Sequence, residues 1–416
     1  SLMVTSLASF FPVALLKAQA CSPWRSLQQQ DQLAWASMPF PTLRDEDWKY
    51  FDLRPLQEAM YTLPSSIQAP LSSQVEPTVL RLYWNQGQLQ PPIIIPQGIT
   101  LRPLAPVVRS SSRLDQDYFF RMNQAFFPEA YELRVQKNFQ GKEPIYLENI
   151  LEGSTQNVAL AFSRLHIVVE SGAEVQIVER FNGSGRYHFI SVVTVEIEKE
   201  ARMNFERLHF DSSESFHFSY LQAKVGRESY LGVRTVGLGS RLRRDIPDIC
   251  LDEAASLGLD GLCLLTDEQV GDTHSFIHHA HPRAQSRQLH KCIAQDHSKG
   301  IFNGQILVAL NAQQTDAQQQ SRNLILGDHA SIDTKPQLEI YADDVKCAHG
   351  ATIGQLDPDE LFYLQSRGFS ESAAKGLLLF AFASDLLERI QVPTLQRVLK
   401  QEIINRLHVG SLGELS

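Results

Sequence analysis

VESGAEV (169–175), IEKEARM (197–203), VGRESYL (225–231) and LDEAASL (251–257) are four versions of one short pattern. Most carry an apolar residue, a polar turn, a small residue and a second apolar residue. Their starts are separated by 197 − 169 = 28, 225 − 197 = 28 and 251 − 225 = 26 residues. LGDHASI (326–332) repeats the pattern 326 − 251 = 75 residues later, about three further periods. A period of this size marks a solenoid, in which each repeat buries its apolar face against the next.

The runs between these words decide which kind of solenoid. Leu165 to Val169 and Val192 to Ile197 are β-branched, too short for helices and set among Gly and Ser turns. The chain is therefore expected to be mainly β, a β-solenoid. Single coils would expose unpaired strand edges, so neighbours must stack and the two ends need caps.

Helical segments flank the repeats. From Thr5 to about Gln57 apolar residues recur at helical spacing, interrupted by Pro23, Pro39 and Pro41, which predicts short helices joined by turns. Leu7, Phe10, Phe11 and Leu15 are expected to share one face of the first of them. No basic residue precedes this run and it is too short to span a bilayer, so neither a secretory signal nor a membrane segment is expected. At the other end, Asp357 can cap a helix that begins at Pro358 and ends at Gly368. Ser370 can cap a second helix to about Ile390, and a third follows Pro393. The expected organisation is a helical region over 1–60, an irregular α/β link over 61–135, a β-solenoid core over 136–353 and a helical domain over 354–416.

Composition excludes several functions. The net charge of −9 over 416 residues, with Lys and Arg dispersed, argues against a nucleic-acid surface. Arg241-Leu242-Arg243-Arg244 is the nearest approach to a basic patch and reads as a solvated turn. The five cysteines are scattered, without a C-x-x-C pair, which points away from a disulfide framework or structural zinc and towards a reducing cytoplasm. No P-loop word and no nucleophile elbow occurs, so the chain is not expected to be an enzyme of either type.

Two places carry metal-binding side chains. Cys347 and His349 lie two apart in Asp343 to Gly350 and would share one face of a strand, where a thiol and an imidazole suit a soft or borderline metal. His274, His278, His279, His281, His290 and His297 form a second histidine-rich stretch. There the 274/278 spacing suits a helix and the 279/281 spacing a strand, so these are expected to be solvated coil-edge histidines.

Several longer words point to a family. SRNLILGD (321–328), TKPQLEI (334–340), DDVKCAHGAT (343–352) and LFYLQSRG (361–368), with the E-x-W-K-Y word of Glu46 to Tyr50, resemble the SufB/SufD family of iron–sulfur cluster assembly proteins. The match is closer to its SufD branch. SufB-like chains carry a Q-C-D-S word where Ser321 stands and E-H-E-A-T where this chain has Ala348-His349-Gly350-Ala351-Thr352.

The resemblance implies a right-handed parallel β-helix between helical ends, and a non-enzymatic subunit of a SufBCD-type complex. It implies His349, with Cys347, near the interface with a SufB-like scaffold, and a SufC-like ATPase docked on the C-terminal helices. Isolated, the chain would hold no tight cofactor and could form a homodimer; iron or a nascent cluster would be bound transiently in the complex. Deletion after Gly368 would then abolish ATPase binding and spare the β core. A β-helical carbohydrate-active enzyme is the rival from another class; it would need groove carboxylates or a metal, and usually secretion.

Overall fold

In parallel register, Val169 pairs with Ile197, Ile197 with Val225, and Val225 with Leu251, so the four repeat words lie on top of one another. The computed structural model describes residues 11–19, 21–65, 78–91, 93–108 and 110–407, and Leu7 and Phe10 lie outside them. The chain winds as a parallel β-solenoid whose strands alternate between two ten-stranded sheets.

The first sheet runs from Ala130–Val135 through Val158–Val169, Tyr187–Ile197, Phe216–Val225, Leu242–Leu251, Val270–His279 and Lys299–Val308 to Ser331–Ile340. The second runs from Ile145–Glu152 through Glu174–Ser184, Arg202–Phe210, Tyr230–Leu238, Ser256–Leu265, Gln285–Ala294 and Thr315–Ile325 to Val345–Gly354. Both sheets reach into the segment read as a link: Leu80–Asn85 pairs with Ile145–Glu152, and Ile99–Pro103 with Ala130–Val135.

The repeat has a structural cause at one corner of each coil. Gly172, Glu200, Glu228, Ala254, Arg283 and Gln314 all take positive φ there. Their N–H groups donate to Lys199, Arg227, Glu253, Pro282, Gln313 and Asp344 carbonyls of the next coil. This corner ladder satisfies backbone donors that a lone turn would leave to water. The LGDHASI word falls elsewhere. It follows Ile325 of the second sheet and leads into Ser331 of the first, the opposite corner, so its match to the other four words was one of turn composition and not of phase.

Helices cover both outer faces. The N-terminal helices are α1 (Val13–Gln19), α2 (Arg25–Ala36), α3 (Arg54–Glu58) and α4 (Tyr118–Phe126). Together with the 3-10 turn Glu46–Trp48 they bury Trp35, Trp48, Phe119 and Phe120 against Ile190, Phe218 and Tyr220 of the first sheet. Within this layer Leu15 is 54% exposed and Leu16 is buried, because α1 starts after Pro12 and its phase is set from there. The C-terminal helices α5 (Pro358–Ser366), α6 (Glu371–Leu387) and α7 (Pro393–Arg406) follow the last strand. The Asp357 carboxylate accepts from the Asp359 N–H and the Ser370 hydroxyl from the Ala373 N–H, the caps read from sequence.

Helices α6 and α7 lie on the second sheet, where Leu379, Leu386, Leu395 and Leu399 pack with Val178, Leu208, Val236 and Leu262. Lys291 Nζ fixes α6 at 2.6 Å from both Asp385 Oδ1 and the Phe382 carbonyl. Removing these helices would uncover the sheet, so the expectation that the β core is spared by deletion after Gly368 does not fit the packing. No helix among the described residues is long and apolar enough to cross a membrane.

The basic word at 241–244 is not a solvated turn. Arg243 and Arg244 are buried in the strand Leu242–Leu251, and only Arg241 stays at the corner. Arg244 Nη1 donates to Asp272 Oδ2 at 2.6 Å and to the Asp47 carbonyl at 2.9 Å, and its guanidinium lies 3.8 Å from the centre of the Trp48 ring. Sequence alternation alone could not show this: Asp245, two residues on in the same strand, pairs with Arg243, but the acid that neutralises Arg244, Asp272, comes from the next coil. Arg244→Met, which keeps the volume and removes the charge, is expected to destabilise the fold by about 3–5 kcal/mol by leaving Asp272 buried without its arginine, with only His274 beside it. Urea unfolding followed by tryptophan emission measures it; an unchanged midpoint would show that Asp272 finds another partner.

Candidate functional site

Ser331–Ile340 and Val345–Gly354 are the last strands of the two sheets, and among the described residues neither has a neighbour on its outer edge. Each presents a row of backbone N–H and C=O groups to solvent, the arrangement that recruits another strand. Apolar side chains are exposed at this end. Tyr341 is 61% and Phe362 72% exposed, Ile353 and Tyr363 also stand out, and α5 has no buried residue.

Both candidate ligands lie on the Val345–Gly354 strand. Cys347 pairs in register with Ala317 and His349 with Gln319, so both continue columns that point into the solenoid. Alternation within the strand puts them on one face. No coil follows, so His349 is exposed, while Cys347 is half-buried against the apolar core. Burial pushes the Cys347 thiol up from its ordinary pKa, so the thiolate that binds metals is not favoured there at neutral pH.

The histidine-rich stretch does not form one site. His274 Nε2 lies 3.1 Å from Asp272 Oδ1, and His278 Nδ1 lies 3.9 Å from Cys250 Sγ. His279 is buried and bonded to Ser286, His290 is stacked on Phe302, and His297 is stacked on His329. His279 and His290 therefore depart from the solvated edge expected of them, because strand alternation turns them into the solenoid; burial lowers both to about 4.

A different group of side chains converges at a corner between the strands Arg202–Phe210 and Phe216–Val225. His209, Asp211 and His217 are the cluster of potential metal ligands found among the described residues, and all three are buried. Asp211 Oδ2 lies 3.3 Å from His209 Nδ1 and 3.0 Å from His217 Nδ1, and the two Nδ1 atoms are 3.3 Å apart. Tyr187 donates to Asp211 Oδ1 at 2.5 Å, and His217 Nε2 lies 3.0 Å from Ser191 Oγ.

Burial pushes His209 down to about 4. Burial alone would raise the Asp211 carboxyl, but the two imidazoles hold it below its ordinary value. Phe181 stacks on His209 and meets His217 edge-on, closing the cluster from one side. On the other side Arg243 pairs with Asp245 at 3.1 Å, in space that any Cβ at Gly237 would fill.

Further along the inner face Arg207 pairs with Glu179 at 2.9 Å and bonds Ser219, and Cys263 stands in register beside Cys292. The solenoid interior is thus apolar along one side and ionic along the other. The sequence signal for the cluster was His209-x-Asp211 at a strand end, with His217 just past a Ser/Glu turn. Strand period makes 209 and 211 share a face, but only the fold of the corner brings 217 to them.

Comparison with known proteins matches residues 151–382 to the core domain of the SufBD proteins of SUF-system iron–sulfur cluster assembly. An iron–sulfur cluster assembly SufBD family protein of Synechocystis is 31% identical over 395 residues, which cover 88% of this chain and 87% of that one. The iron–sulfur cluster assembly protein SufD of Escherichia coli is 30% identical over 383 residues, covering 88% of each. A SufBD family protein of Mycobacterium bovis is 28% identical over 302 residues, covering 70% of this chain and 75% of its own.

Proposed function

The chain belongs to the SufBD family of iron–sulfur cluster assembly proteins, and from that premise we propose that it is a non-enzymatic, cytoplasmic SufD-type subunit of a SufBCD-type complex. The reading rests on one observation above all: the solenoid ends in two strand edges that are unpaired among the described residues, with His349 exposed on the last strand. A strand edge of this kind binds by backbone pairing, and a matching edge on a SufB-like scaffold would extend both sheets across the interface. In isolation the same edge would pair with a second copy of the chain.

In that complex His349 faces the junction and supports iron acquisition and assembly of the nascent cluster, which is cargo held transiently. A neutral imidazole suits iron. Cys347 plays the smaller part, since burial disfavours its thiolate. The SufC-like ATPase docks on the C-terminal helices, where the unburied face of α5 offers an aromatic anchor in Phe362 and Tyr363.

Co-expression with SufB-like and SufC-like partners tests this reading. A stable three-component complex is expected on gel filtration; a chain that stays monomeric at micromolar concentration, with and without the SufB-like partner, would overturn the edge assignment. Phe362→Glu is expected to reduce co-purification of the ATPase subunit by more than about tenfold, since a central aromatic anchor is worth 2 kcal/mol or more. Because Phe362 is 72% exposed, the unfolding midpoint should not move; retained ATPase binding would place docking on α6 or α7 instead.

A further inference from the structure

We propose that His209, Asp211 and His217 hold a divalent transition ion of the zinc or iron(II) class inside the solenoid, far from the open end. The three facing atoms, His209 Nδ1, His217 Nδ1 and Asp211 Oδ2, are separated by 3.0, 3.3 and 3.3 Å. A tetrahedral ion with ligands at about 2.0–2.1 Å sets its ligand atoms about 3.3 Å apart, so the triangle is already the size of one coordination face. Two imidazoles and a carboxylate are a donor set that suits these borderline ions.

The hydrogen bonds around the triangle are those of a metal's outer shell. Tyr187 occupies Asp211 Oδ1 and leaves Oδ2 for the ion. With its Nδ1 lone pair on the ion, His217 has its single N–H at Nε2, 3.0 Å from Ser191 Oγ. His209 in the same state carries its N–H at Nε2, where Asp245 Oδ1 lies 3.6 Å away, too far for a hydrogen bond. A polar partner at the distal nitrogen, as Ser191 is for His217, fixes a ligating ring's tautomer and orientation.

Without an ion the same atoms fit worse. A neutral imidazole has one N–H, yet His209 has a carboxylate at each ring nitrogen, Asp211 beside Nδ1 and Asp245 beside Nε2. One lone pair must then point at a carboxylate, and both His209 Nε2 and Asp245 Oδ1 are buried without a hydrogen-bond partner. The competing arrangement is a doubly protonated His209 bridging the two aspartates. Arg243 is the nearby opposing charge, and its ion pair with Asp245 limits the repulsion an ion would meet.

Burial implies that the ion enters as the coils close, so the full-length chain should be expressed in minimal medium supplemented with Co2+. The expected product carries stoichiometric cobalt after dialysis against EDTA, with the strong visible ligand-field absorption of a four-coordinate site. Asp211→Asn and His217→Gln should lose both cobalt and absorption, whereas His349→Ala should keep them. Wild-type protein that gives up its cobalt to EDTA, or retention of the ion in both cluster variants, would overturn the proposal and leave the bridging imidazolium. Loss in His349→Ala would move the ion to the open end and overturn it equally. If the cluster variants fail to fold, X-ray absorption of the cobalt-loaded wild type decides: imidazole scattering supports the site, and its absence refutes it.

Discussion

A chain ending at Gly368 is expected to be insoluble, or to unfold at a far lower temperature, instead of persisting as a free β core. Leu386, Leu387, Leu395, Leu399 and Ile403 of α6 and α7 are fully buried. At about 1.5–3 kcal/mol each, burial of these side chains contributes on the order of 10 kcal/mol before the ordering cost of the helices is subtracted. That is comparable to the net stability of a whole domain, about 5–15 kcal/mol. The truncation would also leave Lys291 and Glu206 without Asp385 and the Gln391 N–H, and bare the Val178, Leu208, Val236 and Leu262 face. Soluble yield and the calorimetric midpoint are the measurements. A soluble truncated chain with an unchanged midpoint would show that the helices are an appendage.

His349→Ala is expected to leave the fold and the three-component complex intact while cluster formation in the complex falls by more than about tenfold, the low end of what even outer-shell partners of a metal contribute. The side chain is exposed on a terminal strand, so its removal opens no cavity. Cys347→Ser should do less, because that thiol is half-buried and held protonated. Iron and sulfide content of the co-expressed complex, with maturation of a reporter iron–sulfur protein, reads the effect. Full maturation by His349→Ala would return the residue to the surface background, and loss of the complex would give it a packing role. Asp211→Asn separates the two metal proposals, since it removes the interior ion and should leave the interface iron in place.

Much of this molecule was legible because its signals are local. Turn words recurring every 26–28 residues become a ladder of corners, and β-branched runs between them become strands. Asp357, Ser370 and Gly368 punctuate the C-terminal helices as their side chains and backbone preferences dictate. The pairing of Cys347 with His349 on one face follows from strand period alone.

What was not legible depends on which residues of distant coils share a column. Arg243 and Arg244 look like a solvated basic turn until stacking buries both, with Asp245 of the same strand beside the first and Asp272 of the next coil beside the second. LGDHASI has the composition of the other turn words, yet only the winding of the chain puts it on the opposite corner. His209 and Asp211 are joined by His217 because the chain reverses between two sheets, and Cys263 meets Cys292 only through register. Alternation tells which side chains leave a strand together, whereas burial, and ion pairs such as Arg207–Glu179 and Arg244–Asp272, are set by neighbours a full coil away. The mainly β solenoid with helical ends was therefore determined by sequence alone, and the ionic side of its interior by the stacking of the coils.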